Sequence, residues 1–364
     1  MGAVAAVSMT DPSSMTLSVN QSATWDSAVR AWLWLVAGLV FAMIAAGGAT
    51  RLTDSGLSIT EWQPILGAIP PLSEADWQAA FAKYQTSSEF HLVNKNMTLE
   101  GFKPIFWWEW SHRFLGRFIG LAFALPLFFF WAKGALRPGM GGKMLAVLAL
   151  GGLQGVIGWF MVKSGLVDRV DVSHYRLALH LSVAFLLLSC LVWLALDHGS
   201  RAATASAVPA AVRRMALVIV GLVFLQVALG AFVAGLKAGL HYNTWPLMNG
   251  MLIPDDIASM SPLIMNVFEN PTTVQFNHRL IAYVVLAVAA WNALKLRPMN
   301  AGAHLQRSGN LVLAAVLAQA TLGILTLLWA VPIGLGVAHQ AGGALVLAIA
   351  VRHLWMVTNA GRAA

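Results

Sequence analysis

The sequence predicts an all-α polytopic membrane protein whose eight transmembrane helices form two pseudo-symmetric four-helix bundles, with long extracytoplasmic loops after helices 1 and 5. Three observations carry that prediction. The 364 residues are 58% hydrophobic and only 10% charged, with mean hydropathy +0.70, far more apolar than a soluble domain. Eight apolar runs approach the roughly 20 residues that cross a bilayer core. The last four runs repeat the chemistry of the first four.

The elements follow in order. Residues 1–30 are small and polar and are expected to form a cytoplasmic tail. The run 31–50 is too long and too poorly flanked for a cleaved signal peptide, so it is the first span. The other spans are expected near 105–132, 144–163, 176–197, 214–237, 275–296, 309–330 and 334–356. Between spans 1 and 2, "SEADWQAAFAKYQ" places Trp77, Phe81 and Tyr84 at helical spacing and predicts an amphipathic helix on the membrane surface or over a site beneath it.

The net charge of +8 is no footprint for nucleic acid, because the basic residues sit in short connections. Lys133, Arg137, Lys143, Arg201, Arg213, Arg214, Lys295, Arg297 and Arg307 share those connections with one acid, Asp197. They are expected on the cytoplasmic side with both termini. The loops holding Asp54, Glu61, Glu89, Glu100, Asp168, Asp171, Asp256 and Glu269 are expected on the opposite side, in an inner (cytoplasmic) membrane. The one cysteine, Cys190, lies in an apolar run and supports neither a disulfide framework nor a thiolate metal site.

The repeat is legible by inspection. "GLSITEWQPILGAIPP" after span 1 matches "GLHYNTWPLMNGMLIP" after span 5 at a constant offset of 183, pairing Gly56 with Gly239, Trp62 with Trp245 and Pro71 with Pro254. "SHRFLGRF" matches "NHRLIAYV", pairing His112 with His278 and Arg113 with Arg279. Gln154 pairs with Gln319, and His180 with His339. The expected organisation is a tail, 1–30, then halves 31–200 and 201–364.

Each half therefore offers one histidine near the outer end of its second helix and one near the outer end of its fourth. At about 1.5 Å per residue, all four are expected within roughly 12 Å of their helix starts, in the outer leaflet. Ionisable groups inside a membrane are costly and functional. Any one of these histidines could serve an interhelical hydrogen bond, but a pair in each half favours two bis-histidine sites. Haem is the simplest ligand, since a four-helix bundle can hold a porphyrin between axial imidazoles. Zinc would want three or four converging ligands. Arg113 and Arg279 suit haem propionates, or else reach for the interface.

The halves differ at one position. Glu109 precedes His112 by one turn, whereas Gln275 precedes His278. This suggests proton chemistry in the N-terminal half and electron transfer in the C-terminal half; the alternative is a structural Glu109 pairing with Arg113, Arg117 or a loop lysine. His91 and His174 are expected in outward loops, His198 and His304 in inward ones, His353 near the inner end of span 8, and His241 in the second long loop. Arg117, opposite Tyr283 in the repeat, has no assigned part.

"GGATRLTDSGLSITEWQPILGAIPP", "EWSHRFLGR", "HYNTWPLMNG" and "FNHRLIAY" together resemble the haem A synthases, over about Trp32 to Val357. The resemblance implies oxidation of the C8 methyl of haem O to the formyl of haem A; successive oxidations through an alcohol and a geminal diol that loses water are the expected course. It implies a resident haem b on His278 and His339, substrate haem on His112 and His180, and a catalytic role for Glu109. Lacking loop cysteine pairs, the chain looks like the proteobacterial or mitochondrial branch. The implied partners are haem O synthase, cytochrome oxidase assembly factors, membrane lipid and a possible second copy of the chain. The rival readings are a di-haem b electron carrier of the quinol-linked kind and a transporter with duplicated halves.

Overall fold

The computed structural model describes residues 12–167, 170–199, 208–298 and 303–360. Asp168 and Arg201, and the start of the predicted tail, lie outside the described residues. The named helices are α1 (Pro12–Leu52), α2 (Glu74–Gln85), α3 (Ser88–Leu92), α4 (Leu99–Ala132), α5 (Met140–Val167), α6 (His174–Gly199), α7 (Ala210–Gly235), α8 (Asn266–Glu269), α9 (Pro271–Leu296), α10 (Ala303–Leu328) and α11 (Ile333–Asn359). Among the described residues, eight helices are long and apolar enough to cross a membrane, at the eight expected places.

Two helices are longer than their apolar runs. α1 is continuous across the expected boundary at residue 30, because Pro12 stands at its start and no later proline or glycine interrupts it before Gly38. Tertiary contacts hold the extension: Trp25 packs edge-on to Phe129 and Phe130, and Asp26 accepts from Arg137 Nη2 at 2.7 Å. α4 begins at Leu99, capped by Thr98, and carries Pro104 within its first two turns. His112 is thus 13 residues into its helix, about 20 Å from the start. This corrects the common depth of 12 Å, which holds for His180, His278 and His339 only.

Four histidines are also not where the sequence placed them: His91 lies in α3 and His304 in the first turn of α10 rather than in loops, and two more are buried against partners. His174 opens α6 rather than lying in a loop, and its buried ring meets Glu269 at 3.4 Å. His198 belongs to the last turn of α6, fully buried, with Nε2 3.1 Å from Asp26 and Nδ1 3.0 Å from Met140 Sδ. In both cases a partner from another helix replaces water, so the polar ring can leave the surface.

The long helices pack as two rings of neighbours. α1, α4, α5 and α6 touch in sequence and close on α1; α7, α9, α10 and α11 do the same. The rings meet through α6 on α7, α1 on α11 and α6 on α11. One apolar core runs through this junction, with Leu33 and Val36 of α1, Leu127 of α4, Phe185 and Leu191 of α6, Ile219 of α7 and Leu347 of α11 all buried. Lipid is as apolar as leucine, so shape-matched packing and hydrogen bonds hold such a junction together. One of them crosses it, Gln340 Nε2 donating to Ile44 O at 2.5 Å.

The loop end of the bundle is roofed in the first half by α2 and α3. Ser73 and Asp76 form a reciprocal cap at the start of α2, and Trp77, Phe81 and Tyr84 pack on Phe102 and Phe106 of the α4 extension. Beneath this roof Glu89 is buried, accepts from Tyr84 at 3.2 Å, and is raised from the usual carboxylate value to about 7 by burial. Its unfolded form sheds the proton first, so stability is lost as pH rises from about 4.5 to about 7. Glu89→Gln is therefore expected to raise the melting temperature at pH 8, by about 2 kcal/mol of stability, with the gain vanishing at pH 4.5 in thermal scans of detergent-solubilised protein.

Candidate functional site

The two repeat-related arginines do the same thing in each half. Arg113 donates from Nη1 to Glu61 O at 2.9 Å and from Nη2 to Ile59 O at 2.7 Å. Arg279 donates from Nη1 to Thr244 O at 3.0 Å and from Nη2 to Tyr242 O at 2.9 Å. Ile59 and Tyr242, like Glu61 and Thr244, are 183 residues apart, so the offset read from the sequence recurs as matched hydrogen bonds. Each arginine clamps the loop after the first helix of its half onto the second.

The residue one turn before each arginine completes the clamp. Glu109 is buried, with Oε1 accepting from Arg113 Nη2 at 2.5 Å and Oε2 accepting from Ser58 Oγ and Ile59 N, both at 2.7 Å. Gln275 is equally buried, accepts from Arg279 Nη2 at 2.9 Å and donates to Ala238 O at 2.7 Å. The architecture is shared and the charge is not. The pairing with Arg113 is one of the alternatives the sequence left open for Glu109. Of the two clamp arginines, Arg279 retains a buried Nε with no partner; elsewhere Arg51 Nε and Arg117 Nη1 are buried without one.

Arg117, unexplained in sequence, donates to Pro64 O at 2.8 Å and Gln63 O at 2.9 Å. Its repeat counterpart Tyr283 accepts from Trp245 Nε1 at 3.1 Å. Both fasten a loop tip, by different chemistry. His241 is exposed beyond Leu240 and meets none of these groups.

The four histidines face inward, each against a glycine of the preceding long helix. A β-carbon would stand 3.1 Å from His112 on Gly47, 2.9 Å from His180 on Gly158, 3.1 Å from His278 on Gly230 and 2.7 Å from His339 on Gly323. At Gly158 and Gly323 a β-carbon would force the ring to move, and at Gly47 and Gly230 it would crowd it. Sequence reasoning missed these cradles, since glycine is common in membrane helices for packing alone.

The donor set fits a haem. His278 and His339 have ring centres 6.4 Å apart with planes at 80°. Two imidazoles at about 2 Å from one iron, with about another ångström from nitrogen to ring centre, need about 6 Å. The Nδ1 atoms of His180 and His278 are buried with no hydrogen-bond partner, free for a metal. Among the described residues, His112 and His180 form no such ring pair, so the two pairs are not equally drawn together.

Comparison with known proteins gives the family. The family model described as cytochrome oxidase assembly protein matches residues 30–351. The chain is 52% identical over 328 residues to a protein of Azorhizobium caulinodans named haem A synthase, covering 90% of this chain and 93% of that one. Proteins of the same name from Mesorhizobium japonicum and a Chelativorans species are each 50% identical, over 331 and 349 residues, covering 91% and 95% of this chain and 90% and 94% of theirs.

Proposed function

The chain belongs to the COX15-CtaA family of cytochrome oxidase assembly proteins, and from that membership we propose that it is a haem A synthase. It oxidises the C8 methyl group of haem O to the formyl group of haem A. The observation that carries the reading is the pair of clamps, alike in every arginine contact but holding a carboxylate, Glu109, beside one histidine pair and an amide, Gln275, beside the other. A pure electron carrier has no use for that difference.

His278 and His339 would hold haem b, which would supply the electron transfer that oxidation of a methyl group requires. His112 and His180 hold and orient the substrate haem. Glu109, one helical turn from His112, takes up protons released as the methyl is oxidised. The geometry around Oε2 suits that task. Ser58 Oγ lies 2.7 Å from Oε2 and 3.2 Å from Ile105 O. When Oε2 carries a proton, Ser58 turns its own hydrogen to Ile105 O and accepts from the carboxyl. Arg113, fixed by two loop carbonyls, keeps Glu109 in place through both states. The unpartnered Nε of Arg279 is the donor left for a propionate on its side, and Arg113 is the corresponding candidate in the first half.

The basic connections support an inner-membrane protein with both termini cytoplasmic and the haem sites toward the opposite face. Haem O synthase and cytochrome oxidase assembly factors are the partners the reading implies.

Extraction of the haems from purified protein and their separation by chromatography test the function. Haem b together with haem O or haem A is expected. Haem b alone would point to the electron carrier, and no haem at all to a transporter.

A further inference from the structure

The four cradle glycines each follow, by four residues, a side chain that faces the same histidine or its helix: "MIAAG" at 43–47, "QGVIG" at 154–158, "QVALG" at 226–230 and "QATLG" at 319–323. Three of the four carry glutamine, and the glutamines behave alike. Gln154 donates to His180 O at 3.0 Å with Nε2 3.4 Å from the ring Nε2. Gln226 donates to His278 O at 3.0 Å with Nε2 3.3 Å from the ring Nε2. Gln319 donates to His339 O at 2.8 Å with Nε2 3.0 Å from the ring Nδ1. In all three the Oε1 atom is buried with no hydrogen-bond partner.

The fourth position is Met43, and among the described residues no hydrogen bond reaches the ring of His112. Its side chain lies instead toward Gly116, one turn further along α4, where an added β-carbon would stand 3.4 Å from the Met43 Cε. A thioether is a weak acceptor on a flexible stem and, turned away toward Gly116, gives the His112 ring no partner.

A neutral imidazole that gives one nitrogen to a metal carries its proton on the other, and metal-bound histidines nearly always donate that proton to an outer acceptor. The unpartnered Oε1 of each glutamine is that acceptor, brought to the ring nitrogen when the amide turns and gives up its Nε2 bond to the histidine carbonyl. We propose that Gln154, Gln226 and Gln319 are positioning residues that orient His180, His278 and His339 as ligands, and that Met43 leaves His112 as the one exchangeable ligand. This rests on the reading that the N-terminal pair holds the substrate haem. A resident haem then has two fixed ligands. A substrate haem has one fixed ligand, His180, and one that lets go, His112, on the same helix face as Glu109.

The test uses full-length protein in detergent, loaded with haem b and haem O, with apomyoglobin as haem acceptor. Transferred and retained haems are identified by chromatography, and low-spin electron paramagnetic resonance spectra are recorded alongside. Met43→Gln is expected to slow the loss of haem O about tenfold or more, and Gln226→Met or Gln319→Met to speed the loss of haem b by about 10–100-fold. The two glutamine variants should also shift the g values of haem b and raise its midpoint potential, because its imidazoles lose an acceptor and become less basic. Unchanged rates and spectra in Met43→Gln and Gln226→Met overturn the proposal, even where product analysis upholds the synthase. Slower loss of haem b in Met43→Gln upholds the positioning role and overturns the assignment of the halves instead. Should Met43→Gln fail to accumulate, Gln226→Met decides alone, since it copies the methionine into the matching place.

Discussion

Replacing His278 or His339 with alanine is expected to abolish the resident haem b spectrum, with retention falling by more than about 100-fold. Loss of an outer-shell partner alone costs 10–100-fold in metal affinity, and here a ligand itself is removed. The geometry makes the loss severe. The two rings stand 6.4 Å apart across the bundle, each against a glycine, and the side chains hydrogen-bonded beside them are the amides of Gln226 and Gln319, which are poor ligands for iron. His112→Ala and His180→Ala are expected to spare most of that spectrum and abolish haem A formation. Reduced-minus-oxidised spectra and haem extraction on the four variants check this. Four variants with one phenotype would refute the division between halves.

Glu109→Gln is expected to lower haem A output by about 10²–10⁴-fold, the usual range for removing a general acid–base group, while haem O or a hydroxylated intermediate accumulates. The second half shows that glutamine fits the clamp, since Gln275 accepts from Arg279 as Glu109 accepts from Arg113. The cost in folding falls in the lost charge opposite Arg113 and at Oε2. An amide nitrogen there would face the Ile59 N–H, a loss of about 1–3 kcal/mol, while Ser58 turns to Ile105 O. Haem content should therefore persist while turnover falls. Normal haem A output from this variant would remove Glu109 from the chemistry and leave it as the knot between the loop and α4.

Much of the molecule was legible before any coordinates. The spans were readable because a bilayer demands long apolar runs, and the histidine pairs because duplication repeats them on the second and fourth helix of each half. α2 was readable because Trp77, Phe81 and Tyr84 recur at helical spacing. The early starts of α1 and α4 were not, since residues such as Ser27 or Glu100 carry no signal that distinguishes a helix prolonged by packing from a loop. Arg113 and Arg279 looked like charges awaiting anionic partners, and Arg117 had no assigned part. Their partners are mostly backbone carbonyls, which no sequence marks. The cradles left one trace, the spacing of Gln154, Gln226 and Gln319 from Gly158, Gly230 and Gly323. It was half seen, in the match of Gln154 to Gln319.

By itself the sequence determined that eight helices span a membrane, that four histidines recur in two halves, and that a carboxylate stands beside only one pair. These are properties of composition and of period along one chain, set by the thickness of a bilayer and the rise of a helix. Only the tertiary structure decided that Glu109 is a buried clamp as well as a candidate acid–base group, that each histidine lies in the notch of a glycine, and that three rings meet a glutamine while His112 does not. Those facts depend on how close two helices come and how each is rotated. Neighbouring helices are interchangeable in hydropathy, so nothing in either pattern alone specifies which faces meet.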